Sequence, residues 1–289
     1  MIQRFRKLFS ITAATLFTFA AAFAQSRIHP ADSIAFVDAD WSTTVLNKHA
    51  WSKTASMEMF GARQHISLLT YQARKHDSAI LQMRDGKREP ADQMARENGY
   101  SMIVNGSFFN VKTFYPATYT RIGKEKFGQV ESKELFRVNG VIGFKDRKGR
   151  KPVILQCDTT GYETLCRKWH SVMAAGPVLM KDGERISYEE TGSFFTKRHP
   201  RTLIGYDRDG YVTMVVIDGR FQEAAGTTIE ETAIIAELLG LEDAINLDGG
   251  GSSTLWTEAD GILNHPSDNK QFDHEGLRKI PNAIAVRAR

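Results

Sequence analysis

The clearest pattern of hydrophobic and polar positions lies in residues 227–257. Apolar residues recur at helical spacing through residues 229–239, and the breadth of the apolar face predicts a well-buried helix. Thr228 and, three residues later, Glu231 form a capping box, in which the hydroxyl and the carboxylate each bond a backbone amide that the first helical turn leaves unpaired. Gly240 predicts a left-handed cap at the other end. This stretch is therefore expected to form one capped helix facing the core.

A short strand and a glycine turn are predicted to follow this helix. Residues 244–247 form an apolar run between turn signals, which is typical of an interior strand that ends at Asp248. The next three residues are glycines, so no side chain blocks the turn and successive backbone amides can converge on an anion. A carboxylate beside such a turn is a candidate site for chemistry on a phosphate or a sugar. A plain glycine turn between two buried strands explains the same pattern equally well.

Short segments with strand character dominate the rest of the chain. One further helix is predicted at residues 88–99, where Pro90 stands near the start and Gly99 at the end. Residues 201–220 predict a hairpin with its turn at residues 207–210. Other strands are predicted at residues 34–41, 65–73, 101–105, 136–144, 151–157 and 280–289. In the absence of a linker or a low-complexity tract, we expect an α+β fold: a mixed, mostly antiparallel sheet with a few packed helices in a single compact domain.

The first 24 residues have the pattern of a secretory signal peptide. Basic residues at positions 4–7 precede an apolar run at residues 8–23, which ends in the small residues that precede a cleavage site. A membrane anchor is the competing interpretation, but the apolar run is short for one. We therefore expect a domain spanning residues 25–289, located in the periplasm or secreted, without stable membrane insertion of the mature chain.

Charge and cysteine content narrow the function further. The net charge of +4 arises from 38 basic and 34 acidic residues, and three of the basic ones belong to the predicted signal peptide, so the mature chain is nearly neutral. The sequence contains no basic stripe of the kind that would indicate a nucleic-acid partner.

Cys157 and Cys166 are the only cysteines, and in an exported chain their close spacing predicts a local disulfide, with two thiols or a metal pair as alternatives. Because no second Cys or His pair stands at zinc spacing, a zinc site is not expected. We assign no metal ligands and no cofactor, and the sequence leaves a structural metal open.

Two further strand ends carry residues suited to a sugar phosphate. Residues 105–110 combine amides with aromatic rings, a combination that binds sugar hydroxyls and covers apolar C–H surface, although the phenylalanines also suit the core. At the ends of the predicted hairpin, Arg201 and Arg220 border Asp218. The planar guanidinium fork matches phosphate oxygens, so these arginines are candidate phosphate ligands, while surface salt bridging is the alternative.

Together these blocks resemble the phosphodiester glycosidase family. The resemblance rests on the ordered segments NGSFFN, AAGPVLMKDGE, RTLIGYDRDG, VVIDGR, TIEETAIIAELLG and AINLDGGGSSTLW, which span residues 101–256. It implies hydrolysis of the bond between the anomeric carbon of a sugar and a phosphodiester oxygen. Such a reaction needs a carboxylate near the anomeric carbon and donors that hold the departing phosphate. Glu231 also matches the family, but its capping role explains it without catalysis.

The candidate residues follow from these patterns and from the resemblance. The catalytic candidates are the carboxylates Asp248 and Asp218, whose individual roles stay open. The candidate substrate-binding residues are Asn105, Gly106, Phe108, Asn110, Gly176, Arg201, Gly219, Arg220, Gly249, Gly250 and Ser252. The expected partner is a carbohydrate or sugar-phosphate substrate.

Two other classes of function compete with this interpretation. A non-catalytic protein of glycan binding or exopolysaccharide assembly would use the same aromatic and amide surface. A serine hydrolase would use Ser252 or Ser253, but Thr254 stands where a nucleophile elbow has its closing glycine. Measured turnover would separate an enzyme from a binding protein.

Overall fold

A computed structural model describes residues 27–157 and 161–288, and the predicted signal peptide lies outside these residues. Within them there are five α-helices and three short 3-10 helices. The α-helices are α1 (Pro30–Val37), α2 (Ala91–Glu97), α3 (Tyr162–Leu165), α4 (Ser193–Thr196) and α5 (Ile229–Leu238). The 3-10 helices are Ala73–Lys75, Ser132–Glu134 and Gly250–Ser252. Even α5, at 10 residues, is short, and no helix in the described ranges has the length and apolar character needed to cross a membrane.

Eighteen strands form three antiparallel sheets in the described part of the chain. They are β1 (Ser42–Asn47), β2 (Ala50–Met59), β3 (Ala62–Gln72), β4 (His76–Gln82), β5 (Met102–Asn105), β6 (Thr120–Ile122), β7 (Glu125–Phe127), β8 (Gly140–Phe144), β9 (Pro152–Gln156), β10 (Ser171–Ala175), β11 (Val178–Lys181), β12 (Glu184–Arg185), β13 (Arg201–Tyr206), β14 (Tyr211–Ile217), β15 (Asp243–Asn246), β16 (Leu255–Thr257), β17 (Gly261–Ile262) and β18 (Asn282–Ala288).

The largest sheet has eight strands. Its eight strands run in the order β1, β2, β3, β14, β13, β15, β11, β12. The second sheet has the order β7, β6, β10, β8, β9, and the third has the order β17, β16, β5, β18, β4. Each described strand pair is antiparallel, so the predicted fold class, mostly antiparallel sheet with a few helices in one compact domain, is confirmed.

The first sheet is covered on both faces. Val216 and Ile245 belong to a core cluster shared with strands of the other two sheets, whereas Val215 and Leu203 belong to a second cluster that also contains residues of α5. The alternation of neighbouring residues 215 and 216 between the two clusters follows from the period of two along a strand. The central strands are therefore buried on both sides, which explains their nearly continuous apolar sequence.

Helix α5 forms as its sequence predicts. Thr228 accepts a hydrogen bond from the backbone N–H of Glu231 at 3.1 Å, and the Glu231 carboxylate accepts one from the N–H of Thr228 at 2.9 Å. Gly240 ends the helix with φ of +69°. The predicted hairpin of residues 201–220 and the predicted strand before Asp248 are also present as β13, β14 and β15.

The predicted strand at residues 34–41 is wrong, because this segment begins inside helix α1. Pro30 occupies the first turn, where its missing N–H costs nothing, and the His29 side chain accepts a hydrogen bond from the N–H of Ala31. The β-branched residues Ile34 and Val37 are exposed rather than alternating into a core. The proline start signal therefore outweighs the apparent strand alternation in this segment.

Cys157 and Cys166 lie in one apolar cluster beside α3, together with the buried ring of Tyr162. Although both cysteines are among the described residues, no disulfide bond joins them in the structure. Burial raises the pKa of the Cys166 thiol to about 11. Because the structure shows no bond between the two cysteines, the local disulfide stays a prediction.

Candidate functional site

The register of the first sheet brings the start of β13 and the ends of β14 and β15 to the same end of the sheet. Strand β13 pairs with β14 through Arg201 and Ile217, and with β15 through Leu203 and Asn246. The start of β13 therefore lies between the ends of β14 and β15. As a result, Asp218 and Asp248 follow strands that flank β13 on opposite sides.

Asn105 ties this edge to the third sheet. Its Nδ2 donates to the backbone carbonyl of Asp248 at 2.7 Å, and its Oδ1 accepts from the hydroxyl of Thr202 at 2.9 Å and from the N–H of Thr254 at 3.0 Å. The N–H of Asp248 donates to the carbonyl of Gly106 at 3.0 Å. The Asn105 amide is thus engaged within the protein, and its contacts fix the backbone on which the Asp248 carboxylate stands.

The Asp248 side chain is partly exposed and lies among hydrogen-bond donors and positive charges. Its Oδ1 accepts a hydrogen bond from the N–H of Gly249 at 3.0 Å. Burial raises the pKa of the Asp248 carboxyl, while a hydrogen bond from the Ser252 hydroxyl and the charges of Arg137 and Arg278 oppose this rise. A carboxyl with a perturbed pKa beside two guanidinium groups is a functional-site candidate on physical grounds.

The glycine turn after Asp248 packs tightly instead of presenting open amides. The N–H of Gly250 donates to the carbonyl of Pro200 at 2.9 Å, and the N–H of Ser252 donates to the carbonyl of Gly249 at 3.2 Å. A Cβ atom on Gly249 would lie 2.6 Å from the Pro200 carbonyl oxygen. The predicted amide nest for an anion is therefore largely occupied by protein acceptors, and the glycines are required by close packing.

Arginine side chains supply the positive charge beside the turn. Arg278 makes a paired contact with Asp268, with both N···O distances at 2.8 Å, and its NH1 donates to the Ser252 hydroxyl at 3.3 Å. The exposed Arg220 side chain lies against the turn, since a Cβ on Gly250 would be 3.0 Å from its NH2. NH1 of Arg220 is 3.4 Å from the Ser267 hydroxyl.

Arg137 approaches Asp248 from an aromatic cluster. Its guanidinium carbon lies 3.8 Å from the centroid of Phe108 and 5.0 Å from that of Phe194, and the side chain also pairs with Glu134. These rings hold the guanidinium by cation–π contacts. Neither Arg137 nor Arg278 was predicted from the sequence, because neither stands at a strand end with a turn signal and both reach the site only through tertiary packing.

Arg201, by contrast, is buried and donates hydrogen bonds to backbone carbonyls. Its guanidinium is 2% exposed and donates to the carbonyls of Thr227 at 2.9 Å and Phe194 at 2.6 Å. Desolvation, followed by repulsion from Arg137, lowers the pKa of Arg201 to about 9. Its hydrogen bonds hold the segments before β13 and α5 together, so the structure gives it a different role from the predicted phosphate ligand.

Asp218 is more deeply buried than Asp248, with 1% exposure. Its Oδ2 lies 2.7 Å from Nδ1 of His265, and the N–H of His265 donates to both carboxylate oxygens. Burial raises the pKa of the Asp218 carboxyl, and the contacts with His265 oppose this rise. Asp218 therefore contacts its surroundings mainly through His265, whereas Asp248 is only partly buried.

The remaining predicted residues mostly pack or form hydrogen bonds within the protein near the site. Phe108 is buried in the aromatic cluster, Asn110 accepts from the N–H groups of Lys112 and Thr113 in a turn, and a Cβ on Gly219 would press on Pro200. Gly176 accepts a hydrogen bond from Asn246 through its carbonyl at 2.8 Å. Close packing explains these positions, whose binding roles stay predictions.

Comparison with known proteins gives a consistent picture. Residues 98–287 match the family model described as phosphodiester glycosidase. The N-acetylglucosamine-1-phosphodiester alpha-N-acetylglucosaminidase of Mus musculus is 36% identical over 117 residues, which is 38% of this chain and 22% of that protein. The prophage-derived uncharacterized protein YomE of Bacillus subtilis is 34% identical over 92 residues, which is 32% of this chain and 14% of that protein. The chain thus matches less than a quarter of the length of these relatives.

Two solved structures share the fold at low sequence identity. The zebrafish N-acetylglucosamine-1-phosphodiester alpha-N-acetylglucosaminidase catalytic domain, auto-inhibited by its pro-peptide, superposes with a TM-score of 0.63 at 18% identity, covering 86% of this chain and 88% of that one. A hypothetical protein from Synechocystis superposes with a TM-score of 0.63 at 16% identity, covering 86% of this chain and 64% of that one.

Proposed function

The chain belongs to the phosphodiester glycosidase family, and from this we propose that it hydrolyses the bond between the anomeric carbon of a sugar and a phosphodiester oxygen. Water adds to the anomeric carbon, the C–O bond breaks, and the products are a free sugar and a phosphate monoester. N-acetylglucosamine is the first candidate sugar, because it is named for the mouse and zebrafish relatives. The signal-peptide pattern supports action outside the cytoplasm, on a glycan of the cell envelope or the extracellular space.

The observation that carries this proposal is the Asp248 carboxyl, whose pKa is raised by burial while the charges of Arg137 and Arg278 oppose that rise. An oxocarbenium-like transition state places positive charge on the sugar, which a carboxylate stabilises. The departing phosphate carries negative charge, which the positive charge of guanidinium groups stabilises. One partly exposed carboxylate beside two arginines therefore provides both kinds of stabilisation that the bond cleavage needs.

Asp248 and Asp218 have different roles in this proposal. Asp248 is partly exposed and contacts the substrate, as the nucleophile or as the base that activates water. Asp218 is buried behind His265 and acts as a positioning residue at the same sheet edge. The two-carboxylate arrangement predicted from the sequence is thereby reduced to one carboxylate in contact with the sugar.

Hydrolysis in ¹⁸O-labelled water tests the proposed reaction. The purified protein is incubated with a panel of sugar-1-phosphodiesters, headed by the N-acetylglucosamine compound, and both products are analysed by mass spectrometry. Cleavage at the anomeric carbon leaves the phosphate monoester unlabelled. Label in the phosphate would instead indicate a phosphodiesterase. If no compound is cleaved while the sugars still bind, the alternative of a non-catalytic glycan-binding or exopolysaccharide-assembly protein is favoured.

Replacing Arg278 with glutamine is expected to lower kcat/KM about 100-fold, because a charged donor to the departing phosphate is lost. The assay is steady-state hydrolysis of the best compound of the panel. Arg84→Gln is the matched control, since Arg84 is 67% exposed and pairs with Glu125 at the surface. Equal kcat/KM values for Arg278→Gln and the parent protein would remove Arg278 from the phosphate site.

A further inference from the structure

Three potential metal ligands converge from distant parts of the chain. His65 lies on β3, Asp218 follows β14, and His265 lies in the loop after β17. One potential ligand atom of each side chain lies within 4.8 Å of those of the other two. Because these residues are up to two hundred positions apart, no sequence spacing reveals the cluster, which explains why the sequence predicted no metal site.

His65 supplies an imidazole nitrogen that the other described residues leave unused. Its Nε2 is buried and has no hydrogen-bond partner among the described residues, while its Nδ1 lies 2.8 Å from the hydroxyl of Ser56. Buried polar atoms without a partner are rare and call for an explanation, of which an ion is one. A hydrogen bond to the second ring nitrogen is also how proteins orient a metal-binding histidine.

The His65 and His265 rings are held in place around the Asp218 carboxylate. His265 stacks on Phe272 with a centroid distance of 3.6 Å, and His65 meets His265 edge-on at 4.7 Å. His274 stacks on the His265 ring at 4.5 Å. These packing contacts restrict the rings, so a bound ion would meet ligands that are already arranged.

We propose that His65, Asp218 and His265 bind one divalent transition-metal ion of the zinc class. Two imidazoles and one carboxylate are donors that suit Zn²⁺, Co²⁺ or Ni²⁺, whereas Ca²⁺ and Mg²⁺ prefer sites built from oxygen. The ion would also compensate the negative charge of the buried Asp218. Three protein ligands leave at least one coordination position for water.

A surface cavity lies next to residues that contact this cluster. A cavity of ≈ 340 Å³ is lined by Ser56, Glu58, Glu223 and Phe272, among others. Ser56 contacts His65 and Phe272 contacts His265, so only these two side chains separate the cavity from the two imidazoles. Glu58 and Glu223 line this cavity together with Arg63, which pairs with Glu58 at 3.3 Å.

The ion would join strand β3 and the end of β14 to the loop that carries His265. The same loop contains Ser267 and Asp268, which contact Arg220 and Arg278. Metal binding would therefore fix the loop that orients the arginines beside Asp248. The alternative, a simple Asp218–His265 hydrogen-bonded pair, accounts for those two residues but leaves Nε2 of His65 unexplained.

Metal titration of the chelator-treated protein tests this proposal without any substrate. We expect Zn²⁺ to bind at one ion per chain in calorimetry and to raise the Tm, because the ion binds the folded state. Co²⁺ should produce the visible absorption of a low-coordinate site. His65→Gln should weaken Zn²⁺ binding about 100-fold or more, and Ser56→Ala about 10-fold.

His170→Gln is the control, since His170 lies outside the cluster, and its Zn²⁺ affinity should equal that of the parent. Absence of saturable Zn²⁺ binding to the parent, or equal affinity in His65→Gln, would overturn the proposal. If His65→Gln does not fold, the Ser56→Ala titration decides, with unchanged affinity counting against the site. Because binding is measured directly, failure of the metal site is distinguishable from failure of the proposed hydrolysis.

Discussion

Replacing Asp248 with asparagine is expected to lower kcat/KM for the cleaved sugar-1-phosphodiester about 1000-fold or more. The substitution keeps the shape of the side chain and an oxygen for the N–H of Gly249, but it removes the charge that stabilises the transition state. Steady-state hydrolysis is the measurement, together with the Tm of each variant. Asp209→Asn, at an exposed position in the β13–β14 turn, is the control and should change neither quantity.

The stability difference between the parent protein and Asp248→Asn is expected to depend on pH. Burial raises the pKa of Asp248 above its ordinary value of 3.8 in the folded state. A raised carboxyl pKa favours folding below the pKa of the unfolded chain, and this contribution is lost as the pH rises through the folded pKa. The free energy of unfolding of Asp248→Asn minus that of the parent should therefore be larger at neutral pH than at acidic pH. In the parent, the acidic limb of kcat/KM should lie above pH 3.8.

Retention of near-normal hydrolysis by Asp248→Asn would contradict the assigned role. Asp248 would then be a structural carboxylate, and Asp218 acting through His265 would become the leading candidate. A large loss of Tm alongside the loss of activity would mean that the charge is needed for folding, and the kinetic result would then not report on chemistry.

Replacing Gly219 with alanine is expected to lower the free energy of unfolding by about 3 kcal/mol, which corresponds to a Tm lower by several degrees. A Cβ at this position would lie 2.7 Å from the nitrogen of Pro200, 2.9 Å from Cα of Gly226 and 3.0 Å from the carbonyl carbon of His199. All three neighbours are backbone atoms, so no side chain can rotate away. Thermal unfolding of the purified variant measures the effect.

Gly192→Ala provides the comparison for this prediction. Gly192 has an ordinary negative φ, and a Cβ there would have nothing within 4 Å. Because Gly192 precedes helix α4 as its N-cap, the cost of the change should stay within about 1 kcal/mol. If Gly219→Ala and Gly192→Ala lower the Tm equally, close packing against Pro200 is not the reason for a glycine at position 219.

Local signals made much of the fold predictable. The capping box of Thr228 and Glu231 and the turn at residues 207–210 specify their elements through neighbours in sequence, and the structure confirms both. Helix α1 was missed because the start signal of Pro30 competed with a pattern of β-branched residues. In this segment the helix start signal prevails, and the β-branched side chains of Ile34 and Val37 are exposed on the helix.

The candidate site was less predictable, because its chemistry depends on which polar groups the fold leaves available. The sequence identified Asp248 from the glycines that follow it. It also predicted Arg201 as a phosphate ligand, although the folded chain directs that guanidinium to backbone carbonyls. Arg137, Arg278 and His65 acquire their surroundings from residues far along the chain, so no local pattern distinguishes them from other surface or strand residues.

The hydrogen bonds of the Asn105 side chain suggest which parts of this fold can change in sequence without moving Asp248. Its single side chain links the backbone of Asp248 to Thr202 and Thr254, so the position of the carboxylate is set by contacts within the sheets rather than by the surrounding loops. The loops that carry the arginines can therefore change in length and composition while the carboxylate stays in place. We expect the ligand preference of such a scaffold to change by loop replacement, which makes those loops the first target for engineering specificity.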